Sequence, residues 1–229
     1  MRLGTLGGPD STAVAINGRG QIVGWSTTNA KDEYGSISHA FLWQNGKMRD
    51  LGTLGGKSSS ANAINGSGQI VGESYTRGDV SHAFLWENGK MRDLGTLGGN
   101  FSTAVAINDR GQILGERETD DGKTHGVVWL KGRITDLDIL PGRPFDPYPV
   151  AINEKGQVTG NSADRQGSHR NQPNYHAFKW ESGRMSDLGI LPGGQSNWAY
   201  AVNNLGQIVG ASDKSDAWHA VLWTLRSGT

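Results

Sequence analysis

Five times along this chain the phrase Ala-Ile-Asn or Ala-Val-Asn is followed, three residues later, by Gly-Gln, and then by a His that opens an apolar run closing on Trp. The Asn residues are Asn17, Asn65, Asn108, Asn153 and Asn203, and the runs are 39–43, 82–86, 125–129, 176–180 and 219–223. Successive His residues are 43, 43, 51 and 43 positions apart, and the copies fill almost all of the 229 residues. A chain that repeats at such a period is built from units that bury their apolar faces only against neighbouring copies. The fold therefore has to be one local solution used five times. Glycine narrows it further: 35 of 229 residues, about twice the ~7% average, favours many tight turns over long helices. No stretch of the chain keeps a helical period.

Each copy reads as four short strands. Alternation and β-branched residues mark 12–17 and 21–25 in the first copy, with Asn-Gly-Arg-Gly between them as a turn that needs positive φ. The third strand is 39–43, and Asn-Gly at 45–46 turns the chain into a fourth at 48–52. The same turn stands at 88–89, with Lys131-Gly132 and Ser182-Gly183 in later copies. A four-stranded unit of this length is a propeller blade. The expectation is one all-β domain over 1–229, a five-bladed β-propeller of four-stranded antiparallel blades at about 11–52, 59–95, 102–138, 147–189 and 197–224. The last blade would be completed by residues 1–6: Arg2-Leu3-Gly4-Thr5-Leu6 matches Asp50-Leu51-Gly52-Thr53-Leu54, except that Arg2 stands in the Asp position. Such a pairing would remove an exposed edge and tie head to tail. The Ala-rich strand, with Ala13 and Ala15 or Ala61 and Ala63 on alternate positions, would be innermost, where space is least.

Several function classes drop out. Lys+Arg and Asp+Glu are both 22, so there is no basic nucleic-acid footprint. There is no cysteine, hence no disulfide framework and no thiolate chemistry. No apolar run reaches the ~18 residues of a membrane helix. Phosphate-loop, dinucleotide, nucleophile-elbow, zinc-protease and calcium-loop patterns are missing. The expectation is a monomer without cofactor, nucleic-acid or membrane partner. The five repeated His residues invite a metal ring, but a place at the start of a third strand suits hydrogen bonding to a neighbouring blade's backbone or carboxylate better, so no metal site is expected. The repeated Trp residues read as plugs between blades and the repeated Asn residues as turn formers.

A single site should lie where the copies disagree. At the start of the inner strand, Thr12, Ser60 and Thr103 give way to Tyr148 and Trp198, with Tyr200 two residues on. The linker into the fourth copy gains residues, including Phe145 and Asp146, and the loop before His176 is the longest, carrying His169 and ending at Tyr175. The segment 31–34 before His39 reads as a second long loop. One position near the end of the second strand holds Trp25, Glu73, Glu116, Asn161 and Ala211 in turn. Phe145, Tyr148, Trp198, Tyr200, Trp25 and Tyr175 are the candidate ligand-binding residues, an aromatic wall of the kind that holds a small molecule or glycan. Glu73, Glu116, His169 and Asp146 are the candidate acid–base groups, with a solvated surface role as the plainer reading for His169 and Glu116.

The motifs Asp-Leu-Gly-Thr-Leu-Gly-Gly, Ala-Ile-Asn, Gly-Gln-Ile-Val-Gly and His-Ala-Phe-Leu-Trp resemble the bacterial HAF repeat, with His39-Ala40-Phe41, His82-Ala83-Phe84 and His176-Ala177-Phe178 supplying the letters. Copies three and five read His125-Gly126-Val127 and His219-Ala220-Val221. The resemblance implies a propeller-like fold and, for much of the family, secretion, and it implies little chemistry. The first residues carry no apolar export core, so the expectation divides between a trimmed precursor and a cytoplasmic member. Two functions follow from the residues: a ligand-binding propeller with the aromatic cleft on its loop face, or a cofactor-independent enzyme, a cyclase, isomerase, lyase or hydrolase, using the same cleft.

Overall fold

The tightest turns are those that the sequence marks most strongly. Asn45 and Asn88 sit at φ 51°, each followed by a glycine at 79°, and Lys131-Gly132 and Ser182-Gly183 take the same shape. Two consecutive positive φ values are what a two-residue hairpin needs to match strand twist. The computed structural model describes residues 1–33, 35–137, 140, 147–164, 174–215 and 217–224, and among these every regular element is a strand.

The chain divides into two units, Met1–Gly122 and Lys123–Thr229. The first holds β1 (Gly7–Ile16), β2 (Ile22–Asp32), β3 (Gly35–Gln44) and β4 (Lys47–Asp50) as one antiparallel four-stranded sheet in chain order. The second repeat does the same with β5 (Gly55–Ile64), β6 (Ile70–Thr76), β7 (Ser81–Glu87) and β8 (Lys90–Asp93). The third repeat contributes β9 (Gly98–Ile107) and β10 (Ile113–Thr119) to the first unit. The second unit holds the hairpin β11 (Thr124–Leu130) and β12 (Arg133–Asp136). It continues with the sheet β13 (Pro147–Ile152), β14 (Val158–Ala163), β15 (Tyr175–Glu181) and β16 (Arg184–Asp187). A three-stranded sheet, β17 (Asn197–Val202), β18 (Ile208–Lys214) and β19 (Ala217–Trp223), follows.

One expectation changes. Lys31, Asp32 and Glu33 are not in a long loop: β2 and β3 run on past Thr28 and pair again at Lys31–Ser36 and Asp32–Gly35. Thr27 lies opposite Ser38 and Lys31 opposite Ser36, cross-strand pairs that favour a longer hairpin over a loop. β19 pairs with β18 alone among the described strands, and residues 1–5 belong to no strand. Leu6 enters β1 as Leu54 and Leu97 enter β5 and β9, each bridging a Thr of the second strand, Thr28, Thr76 and Thr119.

The repeated residues have distinct jobs. The amide of Asn65 donates to Gln69 Oε1 (2.7 Å) and to the backbone oxygen of Asn108 in the next repeat (3.1 Å), while its own oxygen accepts from the Gln69 N–H (2.9 Å). Asn17 and Asn153 reach Asn65 and Asn203 in the same way. The residue thus shapes its turn and staples its repeat to the following one. Four of the five repeated His residues pair with the Asp eleven residues on: His39–Asp50 at 2.8 Å, His82–Asp93 at 2.8 Å, His125–Asp136 at 2.6 Å and His176–Asp187 at 3.4 Å. Asp50 also caps the Gly52 N–H at 2.7 Å, which holds the exit from the fourth strand. The glycine that ends Gly-Gln-Ile-Val-Gly serves a bulge, not a turn. A Cβ on Gly72 would lie 2.0 Å from the Ser60 carbonyl oxygen, and Gly24, Gly160 and Gly210 meet the same obstacle, each beside a register shift in the inner strand.

The core lies between repeats. Leu42, Leu51 and Val23 of the first repeat pack with Ala61, Ile70, Phe84 and Trp86 of the second, and Arg49 stacks on the Trp86 ring at 5.2 Å. The Trp side chains therefore do act as plugs between copies.

Candidate functional site

Where one repeat meets the next, two serines build the wall. Ser59 Oγ accepts the Ala40 N–H (2.9 Å) and donates to the Gly52 oxygen (2.6 Å). Ser74 Oγ accepts the Leu54 N–H (2.8 Å). Ser102 repeats the first arrangement and Ser26 and Ser212 repeat the second, so these hydroxyls belong to the scaffold. Between them, in the first unit, lies a cavity of about 300 Å³ lined by Trp25 of β2, Ser38 of β3, Ser58–Ser60 of β5 and Glu73–Tyr75 of β6.

The register explains why Trp25 and Glu73 come together. Thr12 lies opposite Trp25 and Ser60 opposite Glu73, so the inner-strand start and the variable second-strand position are cross-strand neighbours. Stacking of consecutive repeats then places Trp25 on one wall and Glu73 on the next. Trp25 and Glu73 are half-buried and Tyr75 is exposed. The Trp25 Nε1–H, the Glu73 carboxylate, the Tyr75 hydroxyl and the hydroxyls of Ser38, Ser58 and Ser60 have no hydrogen-bond partner among the described residues. The cavity thus joins two aromatic surfaces to a set of donors and acceptors that the protein itself does not use.

At two other repeat boundaries larger side chains stand at the equivalent positions. In the second unit Tyr175 and Trp198 occupy the positions of Ser38 and Ser60, and their rings lie 4.1 Å apart at 34°. These two candidate residues use their faces on each other. In the third repeat Phe101 stands where Ser58 does. Tyr148 and Tyr200 are 53% and 58% exposed on β13 and β17. Phe145, Asp146 and His169 lie outside the described residues. Glu116 lies opposite Thr103 on β10 and does not line the cavity. Asn161 exchanges hydrogen bonds with the backbone of Ala199 (2.8 and 3.3 Å), a structural link between β14 and β17.

Sequence reasoning found Trp25 and Glu73 and missed Ser38, Ser58, Ser60 and Tyr75. The signal was present as a run of small residues, Ser58-Ser59-Ser60, against Phe101-Ser102-Thr103 and Ser196-Asn197-Trp198 in other copies. Two ionisable groups elsewhere are displaced from their ordinary behaviour. Burial lowers the pKa of the Arg117 guanidinium, with Asp93 opposing. Hydrogen bonds from Lys179 and then Gln157 hold the Glu181 carboxyl below its usual range. Neither lies at the cavity. Among the described residues no three His, Asp or Glu side chains gather into a metal-binding group.

No protein-family profile matches the chain, and no curated protein matches it. Solved structures do. The β-propeller domain of the Trilobed protease from Pyrococcus furiosus, described as having an open velcro topology, shares 14% identity at a TM-score of 0.53, over 80% of this chain and 52% of that one. A puromycin-hydrolyzing peptidase from Mycobacterium tuberculosis shares 14% at a TM-score of 0.59, over 93% and 36%. TolB from Acinetobacter baumannii shares 12% at 0.55, over 88% and 49%. The chain spans about half or less of each of these chains. The likeness defines the class: this is an all-β repeat protein with the β-propeller fold.

Proposed function

We propose that this protein is a ligand-binding β-propeller of the HAF-repeat kind, and that its ligand, a small molecule or glycan, sits in the cavity walled by Trp25, Glu73 and Tyr75. One observation carries the reading: around this cavity of about 300 Å³, two aromatic side chains and several polar groups without a protein partner converge. These groups are half-buried or exposed and open to solvent, so a ligand that takes the place of water there has to supply their hydrogen bonds, and a polar ligand with an apolar face is suited to do so. The finer architecture belongs to the same reading. Five blades close into a ring, residues 2–6 complete the last blade, and the chain works as a monomer without a cofactor.

Exposed groups at the two ends support closure. Ser11 Oγ donates to the Gly4 oxygen (2.8 Å), as Ser59 does to Gly52. By the repeat pattern it would accept the N–H of Ala220, which is exposed on the β19 edge. Asn203 bonds within its own turn and has no acceptor in a following repeat among the described residues.

The deciding experiment is a calorimetric screen of small metabolites and glycans against the wild-type chain, Trp25→Ala and Trp198→Ala. Loss of binding in Trp25→Ala with a nearly unchanged Tm, and retained binding in Trp198→Ala, is expected. Ligand binding that survives Trp25→Ala would place the site elsewhere. A second reading, an enzyme using the same cleft, has Glu73 next to Tyr75 in its favour, and chemical conversion of the bound ligand on long incubation would select it.

A further inference from the structure

The unused groups of the cavity also describe what they are waiting for. We propose that the ligand is a neutral sugar ring, bound once per chain, with its C–H face on the aromatic side chains and a pair of hydroxyls on Glu73; this rests on the pocket proposed above. Glu73 only accepts hydrogen bonds once ionised, and the Trp25 Nε1–H only donates. The hydroxyls of Ser38, Ser58, Ser60 and Tyr75 do both. A sugar hydroxyl also donates and accepts, so a ring carrying several can satisfy all of these groups at once. Two adjacent hydroxyls can donate to the two oxygens of one carboxylate, and such bonds to a charged acceptor are the stronger kind. The C–H bonds of the ring are the apolar surface that Trp25 and Tyr75 require.

Other ligand chemistries satisfy less. An anion would bring its charge against Glu73, and no Lys or Arg lines the cavity; the nearby Lys57 is paired with Asp32 at 3.2 Å. A flat apolar molecule would desolvate the serine hydroxyls and give them nothing. A small organic cation would suit Glu73 and the rings but leave the serines unused. The volume, about 300 Å³, lies at the small end of the ~300–1,000 Å³ of ligand pockets and fits one ring rather than a long chain. Single occupancy is argued from the larger side chains at two other boundaries. Phe101 replaces Ser58 in the third repeat, and Tyr175 and Trp198 close the space in the second unit.

The test uses the full chain and isothermal calorimetry with glucose, galactose, mannose, xylose, glucuronate and tetramethylammonium. At least one neutral sugar is expected to bind at one site per chain, with glucuronate binding about tenfold more weakly than glucose if glucose is the sugar bound. Glu73→Gln should weaken the sugar about tenfold, because a charged acceptor becomes a neutral one. Ser58→Phe, which installs the side chain that repeat three already tolerates, should abolish binding with Tm unchanged. Sugar binding that survives both Ser58→Phe and Trp25→Ala would overturn the pocket itself. Failure of all four neutral sugars would overturn the sugar assignment. Tetramethylammonium binding lost in Glu73→Gln would then show that the pocket stands and holds a cation.

Discussion

The Asn that recurs in every repeat shows how much one side chain can carry. Asn65 is buried and makes hydrogen bonds to its own turn and to the next repeat, at 2.7 to 3.1 Å. Asn203 makes the turn bonds alone and is exposed. Removing Asn65 strands a buried carbonyl and frees the turn, so Asn65→Ala should cost about 3 kcal/mol, and Asn203→Ala about 1 kcal/mol. Urea denaturation of both variants measures the difference; equal costs would mean that the staple contributes nothing beyond the turn. Glu181 gives a pH dependence. Its folded pKa lies below the ordinary value of 4.5, first through Lys179 and then Gln157. A depressed carboxyl stabilises the fold above its unfolded pKa and loses that contribution as pH falls through the folded value. The side chain is 43% exposed, so solvent screens the effect and it should be small. Stability measured from pH 6 down to pH 3 should decline slightly less in Glu181→Gln than in wild type, and a steeper decline would contradict the assignment.

At the scale of the element, the bulge in each inner strand is the feature least visible in the letters. Gly72 faces the Ser60 carbonyl at a distance that no Cβ tolerates, and the backbone on both sides is held by ladders. Gly72→Ala should therefore destabilise by about 3 kcal/mol through forced backbone movement. Gly46→Ala, at a positive φ in open space, should cost about 1 kcal/mol through backbone strain alone. Thermal melts of the two would rank them, and the reverse order would remove the bulge as a constraint. Strand pairing itself was legible, because the Asn-Gly turns and the alternation set register locally. The length of β2 and β3 was not: Lys31 and Asp32 look like loop residues, and only their pairing with Ser36 and Gly35 makes them strand.

For the whole molecule the open question of geometry is closure. If residues 2–6 complete the last blade in the register of β4, Arg2 pairs with Val221 as Asp50 pairs with Phe41. Directly opposed strand residues lie about 4.5–5.5 Å apart at Cα, within the ~4.4–6.8 Å range of a disulfide. The chain has no cysteine, so the pair Arg2→Cys and Val221→Cys reports without background. A cross-link within single chains at micromolar concentration is the expected outcome. Cross-links between chains only, or none, would overturn the ring and the monomer together.

The repeat unit, its turns and the strand order within each copy were legible from the sequence, because they depend on residues close together in one copy. The cavity was not. It forms where Trp25 and Ser38 of one repeat meet Ser58, Ser60, Glu73 and Tyr75 of the next, and whether such a space is empty or filled depends on side-chain volumes contributed by two copies. Ser38 and Ser60 leave room, whereas Tyr175 and Trp198 at the same positions stack and leave less. A periodic pattern names the positions; only packing across the repeat boundary decides which of them a ligand can reach.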